Sequence, residues 1–537
     1  MVEETELWKQ RIDELTNKEM LKPEQVENMK NMVSSPDEEN LEVVKEIIKI
    51  KVEDRLLVGL NNDQTNAFYS ILTFLKEGGA DAFVLMGYAG TGKTFLVKRI
   101  IESIAASYPN RKIAITAPTN KAVRVLQSDA PFQDPLEGEE NAQIFDDLFN
   151  QGHRLKYSTV HKLLGLKEQI SDNGVQSFMP DYKDKSELAK YDYLIVDEVS
   201  MLDDTLCREL LKHKTKVKII FMGDPAQIPP VNRVDCIPFK KQVEFNFKRA
   251  ELKEIMRQTG EHPVVDAAFI LRNNLSVKHP IPVLKTELKG DNGIIYIDAT
   301  TERAKVRPIL DEYFNCDAFK KDADYAKVIA WRNKTVTTLN NIIRELLFGK
   351  DTEAYNVGDK LIARGPIFEE QKGPKSRWGA KWIVGINTSE EMEITELTIQ
   401  NKKFSEGSYQ LYAKIYQCKV KIFDTTERKF VVDFISIIHE DSMKEYRTLM
   451  AQAKGLAKNA RDKSAWVAYY NMMKWSADVA YNYAITAHKA QGSTYDNVVL
   501  IEEDLDINRT VRERNRIKYT AYSRPKHKLF ILRKNYV

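Results

Sequence analysis

The segment GYAGTGKT, residues 87–94, restricts the fold of this chain more than any other stretch. It matches the pattern G-x-x-x-x-G-K-[ST], follows the apolar run AFVLMG and opens the helix-like stretch FLVKRIIESIA. Glycines in such a loop let backbone N–H groups approach phosphate oxygens, and the helix N-terminus favours negative charge. We therefore predict a phosphate-binding loop in which Lys93 bridges the β- and γ-phosphates of ATP and the Thr94 hydroxyl binds Mg²⁺. The loop residues predicted to hold the nucleotide are Gly87, Ala89, Gly90, Thr91, Gly92, Lys93 and Thr94.

Two other apolar runs end in polar residues that suit phosphate chemistry. YLIVDEVSM carries Asp197, predicted to bind Mg²⁺, and Glu198, predicted to activate the attacking water. FMGDPAQIPPV carries Asp224 and Gln227, and a glutamine placed there can sense the γ-phosphate or its water. Adjacent acids at the end of a strand are often merely solvated, but together with a phosphate-binding loop they predict an NTPase.

The apolar runs also indicate an α/β fold class. Four short runs that each end in a polar turn are residues 82–87, 112–118, 193–198 and 218–224. Runs this apolar suit parallel strands covered on both faces, with ligand sites at their C-terminal ends. A second set, which predicts another parallel sheet, is residues 325–333, 497–503 and 528–532. Between the sets, the stretch from YNVGDKLIARGPIF to KFVVDFISII alternates with period two and predicts an antiparallel sheet or small barrel.

Composition narrows the class of protein. A chain of 537 residues predicts two or more domains, and a net charge of only +3 means that any nucleic-acid surface has to be local. The four cysteines are not closely paired, which indicates free thiols in a reducing cytosol. No apolar run is long enough to span a membrane, and the acidic N-terminus lacks the apolar core of a signal peptide. We therefore expect a cytoplasmic protein.

Eight motifs occur in an order that resembles the superfamily 1 DNA helicases. They are APTNKAV, STVHKLLG, VDEVSM, GDPAQIPPV, MRQTG, AWRNKTVTTLN, TAHKAQGSTYD and YTAYSRPKHKLFIL. The chain is most similar to the RecD-like (1B) branch, and within that branch to a small phage helicase, over residues 60–537. The resemblance implies ATP and Mg²⁺ as cofactors, and single-stranded and forked duplex DNA as partners.

The resemblance implies two RecA-like motor domains with insertions. The implied divisions are an N-terminal helical appendage at 1–58, motor domain 1A at 59–250 with a β-hairpin pin at about 166–182, motor domain 2A at 251–354 and 477–537, and an SH3-like accessory domain 2B with a helical projection at 355–476. The appendage carries no catalytic signature, so structural packing is its expected role, and a partner-docking module is the alternative. An acidic stretch at 128–154 is expected to form a surface excursion.

Further ATP-site residues follow from the same resemblance. Gln64 matches the glutamine that recognises adenine, and Arg257 and Arg524 match two arginines that reach the γ-phosphate across the cleft. Guanidinium groups stabilise the charge that develops during phosphoryl transfer. Gly492 lies in a turn that the resemblance places at the ATP cleft. The chain departs from the family pattern at Pro525, directly after Arg524.

Turns from both motor domains are implied to line a groove for single-stranded DNA. The implied contacts are Pro118, Thr119, Asn120, Thr159, His161, Asn333, Lys334, Thr486 and His488. Such contacts hold phosphates without reading sequence. A hairpin turn at Asn173–Gly174 matches the family's duplex-splitting pin, and Phe178 matches an aromatic residue at its base. Ordinary packing remains the alternative for Phe178.

Together these features imply an ATP-dependent DNA helicase that translocates on single-stranded DNA. The 5′ to 3′ polarity is implied by the resemblance alone. The alternative is an ATP-switched, single-stranded-DNA-binding remodelling or scaffold protein without processive unwinding, which the intact Lys93, Glu198 and arginine pair disfavour. The resemblance implies a role in phage DNA replication, recombination or repair in the host cytoplasm. We expect a monomer, with a single-strand-binding or replisome protein as a candidate partner.

Overall fold

The computed structural model describes residues 9, 12–13, 16, 23–34, 56–107, 110–128, 155–170, 176–180, 186–230, 233, 235–241, 243–256, 262–370, 382–424, 429–460 and 463–535. Within these ranges, no helix combines the length and the apolar character needed to cross a membrane. All four cysteines fall inside them and are free, as predicted. The acidic excursion, apart from its first residue, and Arg257 lie outside the described residues.

The helices are α1 (Pro23–Ser34), α2 (Asn62–Glu77), α3 (Lys93–Ser107), α4 (Asn120–Ser128), α5 (Val160–Leu163), α6 (Asp204–Leu211), α7 (Pro263–Asn273), α8 (Val306–Phe314), α9 (Asp317–Lys321), α10 (Asn333–Phe348), α11 (Glu440–Ala460), α12 (Lys463–Met473), α13 (Ala487–Ala490), α14 (Glu502–Leu505) and α15 (Val511–Tyr522). The strands are β1 (Ala82–Gly87), β2 (Ile113–Ala117), β3 (Leu155–Thr159), β4 (Leu166–Ile170), β5 (Gln176–Pro180), β6 (Tyr193–Val196), β7 (Lys218–Gly223), β8 (Phe247–Leu252), β9 (Glu287–Lys289), β10 (Asn292–Asp298), β11 (Ala326–Ala330), β12 (Lys360–Ala363), β13 (Ile367–Glu370), β14 (Trp382–Ile386), β15 (Glu391–Glu406), β16 (Tyr409–Asp424), β17 (Lys429–Ile438), β18 (Val479–Tyr481), β19 (Ala484–Thr486), β20 (Tyr495–Ile501) and β21 (Pro525–Arg533).

The first sheet contains six parallel strands in the order β3-β2-β6-β7-β1-β8. Its strands β1, β2, β6 and β7 are the four apolar runs of the sequence, so that prediction is confirmed. Both faces are covered: Phe83 and Leu85 lie in one apolar cluster, whereas Ala82 and Val84 lie in another on the opposite face. Since β6, β7 and β1 are neighbours, the polar residues that follow them converge at one edge of the sheet.

The second sheet also has six strands, in the order β19-β11-β20-β21-β10-β9. Its strands are parallel except β9, which runs antiparallel to β10. The predicted strands β11, β20 and β21 are confirmed. The loop after β7 of the first sheet reaches this half of the molecule, because Ala226 and Ile228 are buried in the same apolar cluster as Ile517 of α15. The two sheets therefore meet near the end of β7.

A five-stranded antiparallel sheet lies between the two parts of the second sheet in the sequence. Its order is β17-β16-β15-β12-β18, and β13 pairs with β14 as a separate hairpin. The period-two pattern therefore correctly predicted an antiparallel sheet in this part of the chain. Helices α11 and α12 follow, and Trp475 is buried with its ring stacked on Phe404 at a centroid distance of 5.2 Å. Strand β18 still belongs to this sheet, so the chain returns to the second parallel sheet only at β19.

A small hairpin and an N-terminal helix complete the described fold. Strands β4 and β5 pair antiparallel with Glu168 opposite Phe178, whereas the predicted turn at Asn173–Gly174 lies outside the described residues. In α1, Met29 and Val33 are buried in the apolar cluster that contains Phe68 of α2. This helix therefore packs against the first parallel sheet's layer of helices.

Candidate functional site

The loop between β1 and α3 has the backbone that its glycines predict. Gly90 and Gly92 adopt positive φ angles of 81° and 72°. A Cβ atom at Gly87 would lie 2.7 Å from Lys93 Cγ and 2.8 Å from Thr91 Oγ1, so only glycine fits there. Lys93 Nζ donates hydrogen bonds to the carbonyl oxygens of Gly87 at 2.6 Å and Tyr88 at 3.1 Å. The lysine ammonium group therefore lies over the loop, and Thr94 is exposed beside it.

Gln64 of α2 hydrogen-bonds to this loop. Its side-chain oxygen accepts a hydrogen bond from the backbone N–H of Asn61 at 3.0 Å, which completes a capping box at the start of the helix. Its Nε2 donates to the carbonyl oxygen of Thr91 at 3.0 Å. The residue predicted to recognise adenine is thus fully buried against the loop, with one amide hydrogen left to reach a base.

Asp197 and Glu198 follow β6 directly beside the loop. Glu198 has a left-handed backbone, with φ of 50° and ψ of 39°, an unusual conformation for a residue other than glycine. Its backbone N–H donates to Asp197 Oδ1 at 2.7 Å. Burial, followed by the charge of Glu198, raises the pKa of Asp197 to about 7. Burial also raises the pKa of Glu198, and the positive charges of Arg524 and Lys93 oppose that rise.

Asp224 and Gln227 occupy the loop after β7, one strand away from the phosphate-binding loop. Asp224 is fully buried, and its Oδ1 accepts a hydrogen bond from the backbone N–H of Ala226 at 2.8 Å. Burial raises the pKa of Asp224, and the Lys93 charge opposes this. Gln227 Oε1 is buried and has no hydrogen-bond partner among the described residues. The predicted sensor glutamine therefore keeps an acceptor available at the site.

The second sheet supplies the opposite wall through the turn between α13 and β20. Gln491 Nε2 donates to Ser200 Oγ and to the carbonyl oxygen of Ile228, both at 3.0 Å. Gly492 has a φ of 72°, and a Cβ atom there would lie 3.6 Å from Glu198 Cγ. This turn therefore lies directly against the side chain of Glu198, the candidate general base.

Arg524 follows α15 and is 5% exposed. Its Nε donates to the carbonyl oxygen of Thr520 at 2.8 Å, and its Nη1 donates to that of Ser493 at 3.0 Å. The guanidinium group is close enough to lower the pKa values of Glu198 and Asp224, which burial raises. The structure thus brings Arg524 to the same site as Lys93, whereas the second predicted arginine, Arg257, lies outside the described residues.

A tyrosine that the sequence prediction missed connects the two walls. Tyr519 of α15 hydrogen-bonds to Asp224 and accepts the backbone N–H of Ala89 at 3.1 Å.

Asp504 was also missed, although it follows the apolar strand β20 as Asp197 follows β6. Its Oδ2 accepts the backbone N–H groups of Trp331 and Arg332 at 2.9 and 2.8 Å, and so fixes the turn before α10.

The groove residues Thr159 and Thr486 have matching positions. Thr159 ends β3, the outermost strand of the first sheet, and its Oγ1 accepts the N–H of Lys162 at 3.3 Å as the N-cap of α5. Thr486 ends β19, the outermost strand of the second sheet, and caps α13 in the same way at 3.3 Å. In each sheet, the outermost strand therefore ends at a threonine that caps a short helix.

The histidines of the two short helices, His161 and His488, have pKa values shifted in the same direction. Burial lowers the pKa of both His161 and His488, so both rings are neutral at pH 7. The His161 and Phe178 rings are tilted by 35° with centroids 3.9 Å apart, while Phe178 remains 42% exposed. The phenyl ring thus packs against the histidine and is still partly open to solvent.

Several groove candidates are tied to other parts of the fold. Asn120, at the start of α4, donates from Nδ2 to Glu390 Oε2 at 2.6 Å. The adjacent Lys121 pairs with Asp324 at 2.6 Å and with Glu391 at 2.7 Å. The other candidates in these two turns are the half-buried Pro118 and Thr119 and the exposed Asn333 and Lys334.

A cleft of about 570 Å³ separates the loops of the two sheets. His488 and Gln491 line it from the second sheet, and Asp203, Pro229 and Arg233 line it from the first. His488, which is predicted to touch DNA, therefore lies in this cleft together with Gln491, the residue next to Gly492.

The residues around the phosphate-binding loop fit a nucleoside triphosphate with a divalent cation. Glu198 Oε2 and Gln227 Oε1 are buried acceptors without hydrogen-bond partners among the described residues. Lys93 and Arg524 bring positive charge from the two sides. Hydroxyl and carboxylate oxygens, such as those of Thr94 and Asp197, are the ligands that Mg²⁺ prefers.

Two family models match the chain. The AAA domain model matches residues 59–277, and the UvrD-like helicase C-terminal domain model matches residues 481–532. Protein R530 of Acanthamoeba polyphaga mimivirus is 25% identical over 87% of this chain and 99% of its own length. The ATP-dependent DNA helicase dda of Enterobacteria phage T4 is 26% identical over 82% of this chain and 92% of that helicase. The RecBCD enzyme subunit RecD of Buchnera aphidicola (strain Sg) is 24% identical over 83% of this chain and 69% of that subunit.

The domain matches and the relatives cover the segments that carry the ordered motifs. The AAA match contains the phosphate-binding loop, Glu198 and Asp224, and the UvrD-like match contains Gly492 and Arg524. This protein is therefore an ATP-driven DNA helicase that belongs to the RecD-like branch of superfamily 1 and is related to Dda.

Proposed function

We propose that this helicase translocates 5′ to 3′ on single-stranded DNA, unwinds duplex at a fork, and takes its energy from hydrolysis of Mg²⁺-bound ATP between its two sheets. One observation carries the proposal: Glu198 of the first sheet lies against Gly492 and within the field of Arg524, both from the second. A site built from two halves responds to ATP only when the halves come together, so hydrolysis is coupled to domain movement.

Each residue of the ATP site has a distinct role in this proposal. Lys93 holds the β- and γ-phosphates, and Glu198 Oε2 takes a proton from the water that attacks the γ-phosphorus as the bond to the bridging oxygen breaks. Gln227 Oε1 orients that water. Thr94 and Asp197 would hold Mg²⁺, which would supply positive charge to neutralise the phosphate oxygens. Gln64 recognises the base and the arginines stabilise the charge that develops on the γ-phosphate.

Glu198 is suited to act as a general base because of its surroundings. Burial makes its carboxylate more basic, and the charges of Arg524 and Lys93 oppose complete protonation. Its backbone is left-handed, and its own N–H donates to Asp197 Oδ1. Strain of this kind, of order 1–3 kcal/mol, persists where the surrounding structure fixes the residue.

The DNA groove in this proposal runs along the outer strands β3 and β19 of the two sheets. The capping threonines Thr159 and Thr486 with their histidines, His161 and His488, form two similar grips, one on each sheet. Neutral histidines contact phosphates by hydrogen bonds and bases by stacking, without a titrating charge. When the sheets close on ATP, the distance between the grips changes, and alternate release of the grips moves the strand. The polarity is proposed from the relation to Dda and RecD.

The insertions have proposed roles at the fork. We assign 1–58 to the appendage, 59–250 to motor domain 1A, and 251–354 together with the chain from β19 onward to motor domain 2A. The SH3-like domain 2B begins at 355 and extends past the predicted boundary at 476 to include β18. The hairpin β4–β5 is the proposed pin, since it continues directly from α5 and its helix-borne His161. A phage replication or recombination setting, a monomeric state and a single-strand-binding partner are proposed on the relation to Dda alone.

Replacing Phe178 by alanine is expected to slow unwinding of a forked duplex about tenfold while changing single-stranded-DNA-stimulated ATP hydrolysis by less than about twofold. The exposed part of the ring is available to stack on a base, and such stacking is worth roughly 1–3 kcal/mol. Strand displacement and phosphate release are measured on the same preparation.

Phe434→Ala is the matched control, because Phe434 is 58% exposed on strand β17, away from the hairpin. It should leave both rates unchanged. Equal loss of unwinding and ATPase in Phe178→Ala would mean that the ring only packs against His161. A wild-type protein that hydrolyses ATP with DNA but displaces no strand would favour the scaffold alternative.

A further inference from the structure

Tyr519 of α15 reaches across the interface into the phosphate-binding site. Its ring is 1% exposed. Its hydroxyl accepts a hydrogen bond from the backbone N–H of Ala89 at 3.1 Å and donates its own hydrogen to Asp224 Oδ2. One hydroxyl group thus joins the loop after β1, the end of β7 and the last helix of the second sheet.

The protonation state of this group is well defined. Burial and then the negative charge of Asp224 raise the pKa of Tyr519 far above its ordinary value, so it stays a phenol. A phenol has a single hydrogen, which Asp224 receives, and its lone pair is the only acceptor for Ala89. Both hydrogen bonds of Tyr519 therefore depend on groups that surround bound phosphate.

Ala89 N–H is a group for which phosphate can compete. Backbone N–H groups of a loop of this type point toward phosphate oxygens, and Ala89 lies between Gly87 and Gly90 in that loop. A phosphate oxygen near Ala89 would take over its N–H from the Tyr519 hydroxyl. Asp224 accepts hydrogen bonds from the Ala226 N–H, at 2.8 Å, and from the Tyr519 hydroxyl. Neither bond involves Ala89, so Tyr519 keeps its bond to Asp224 when it loses the bond from the Ala89 N–H.

Tyr519 is connected to Arg524 by one peptide bond, to Thr520, and one hydrogen bond. The residue after Tyr519 is Thr520, whose carbonyl oxygen accepts Arg524 Nε at 2.8 Å. Arg524 Nη1 also donates to the carbonyl oxygen of Ser493, beside Gly492. The end of α15 therefore sets the position of the guanidinium group relative to Glu198.

We propose that Tyr519 is a positioning residue for ATP hydrolysis: it releases Ala89 N–H to the nucleotide and, through its bond to Asp224, keeps α15 and Arg524 in place for the reaction. This rests on the proposed hydrolysis of ATP at this loop. It assigns Tyr519 two separable effects. If Tyr519 lacks its hydroxyl, ATP has no competitor for the Ala89 N–H group. Arg524 is then no longer held in position.

The test is Tyr519→Phe, which keeps the buried ring and removes only the hydroxyl. The kcat of single-stranded-DNA-stimulated ATP hydrolysis is expected to fall about tenfold or more, since hydrogen bonds to charged groups are the strong ones. The KM for ATP is expected to stay the same or to fall. A residue that served the fold alone would not separate kcat from KM in this direction.

Tyr522→Phe is the matched control on the same helix. Tyr522 is fully buried, and its hydroxyl donates to Glu502 Oε2 at 2.9 Å, where Glu502 begins α14 and is not part of the nucleotide loop. This variant should lower the thermal unfolding midpoint and leave kcat and KM within about twofold of wild type.

Three results would overturn the inference. The first is a Tyr519→Phe kcat within about twofold of wild type. The second is a raised KM in that variant, and the third is an equal loss of kcat in Tyr522→Phe. A wild-type protein without DNA-stimulated ATPase is a separate result, because it removes the proposed hydrolysis itself and this inference with it.

Discussion

Replacing Lys93 by alanine is expected to lower the kcat of single-stranded-DNA-stimulated ATP hydrolysis at least about 100-fold, because electrostatic contacts to the reacting group are commonly worth that much. Lys93 Nζ donates to the loop carbonyl oxygens of Gly87 and Tyr88, and in the proposed mechanism it holds the phosphates from there. Burial raises the pKa values of Asp197, Glu198 and Asp224, and the Lys93 charge opposes each rise. Its loss therefore removes a phosphate clamp and also makes three carboxyl groups harder to ionise.

Steady-state phosphate release with saturating single-stranded DNA measures this effect. Lys76→Ala is the control, since Lys76 is an exposed lysine in the last turn of α2, outside the nucleotide loop. It should match wild type. A Lys93→Ala protein that unfolds at the wild-type temperature and retains more than about a tenth of the wild-type kcat would refute the assignment of this loop.

Replacing Arg524 by alanine is expected to lower kcat about 1,000-fold, the lower range for an arginine that stabilises a phosphoryl-transfer transition state. The KM for ATP should change much less, because the guanidinium group acts on charge that develops only during the reaction. Arg524→Lys should restore little of the rate, because an ammonium group lacks the planar fork that bonds to Thr520 and Ser493 together.

Arg514→Ala controls for the loss of a buried arginine near Arg524. Arg514 lies in α15, the helix that precedes Arg524, and is 8% exposed, but its Nη2 donates to the carbonyl oxygen of Lys278, outside the nucleotide site. It should lower the unfolding temperature and leave kcat near wild type. If Arg514→Ala and Arg524→Ala lose the same fraction of kcat, Arg524 serves the fold and not the reaction.

The central strands and the loop were predictable because their signals are local. Strands such as β1 and β6 are continuous apolar runs, and a sheet buried on both faces requires them. The loop needs glycine at fixed positions, which the sequence shows directly. The outer strands β3 and β8 were not predicted, because LKYST and FKRAEL mix polar and apolar residues and β19 has only three residues.

Contacts across the interface were not predictable in the same way. The bond from Gln491 to Ser200 joins residues 291 positions apart, and that from Tyr519 to Asp224 joins residues 295 apart. Such partners are set by how two sheets meet, and no short-range pattern encodes that. The corresponding positions of Thr159 and Thr486 were also hidden, because the two segments share only T-x-H-K, too short to read as a repeat.

Asn120 illustrates a further limit of sequence reasoning. Its resemblance-based role is to bind DNA, but in the structure its amide donates to the Glu390 carboxylate. A carboxylate and a phosphate compete for the same kind of donor. The partner seen in the structure comes from the residue just before β15, and no local pattern in the sequence predicts that contact.

Strand displacement from tailed duplexes tests the central proposal most directly. Two substrates share one duplex sequence, and one carries a 5′ single-stranded tail while the other carries a 3′ tail. With ATP and Mg²⁺, we predict displacement from the 5′-tailed substrate, none from the 3′-tailed substrate, and none from either with Lys93→Ala. Displacement from the 3′-tailed substrate alone would contradict the proposed polarity, and ATP hydrolysis without displacement from either would contradict the proposal that this enzyme unwinds DNA.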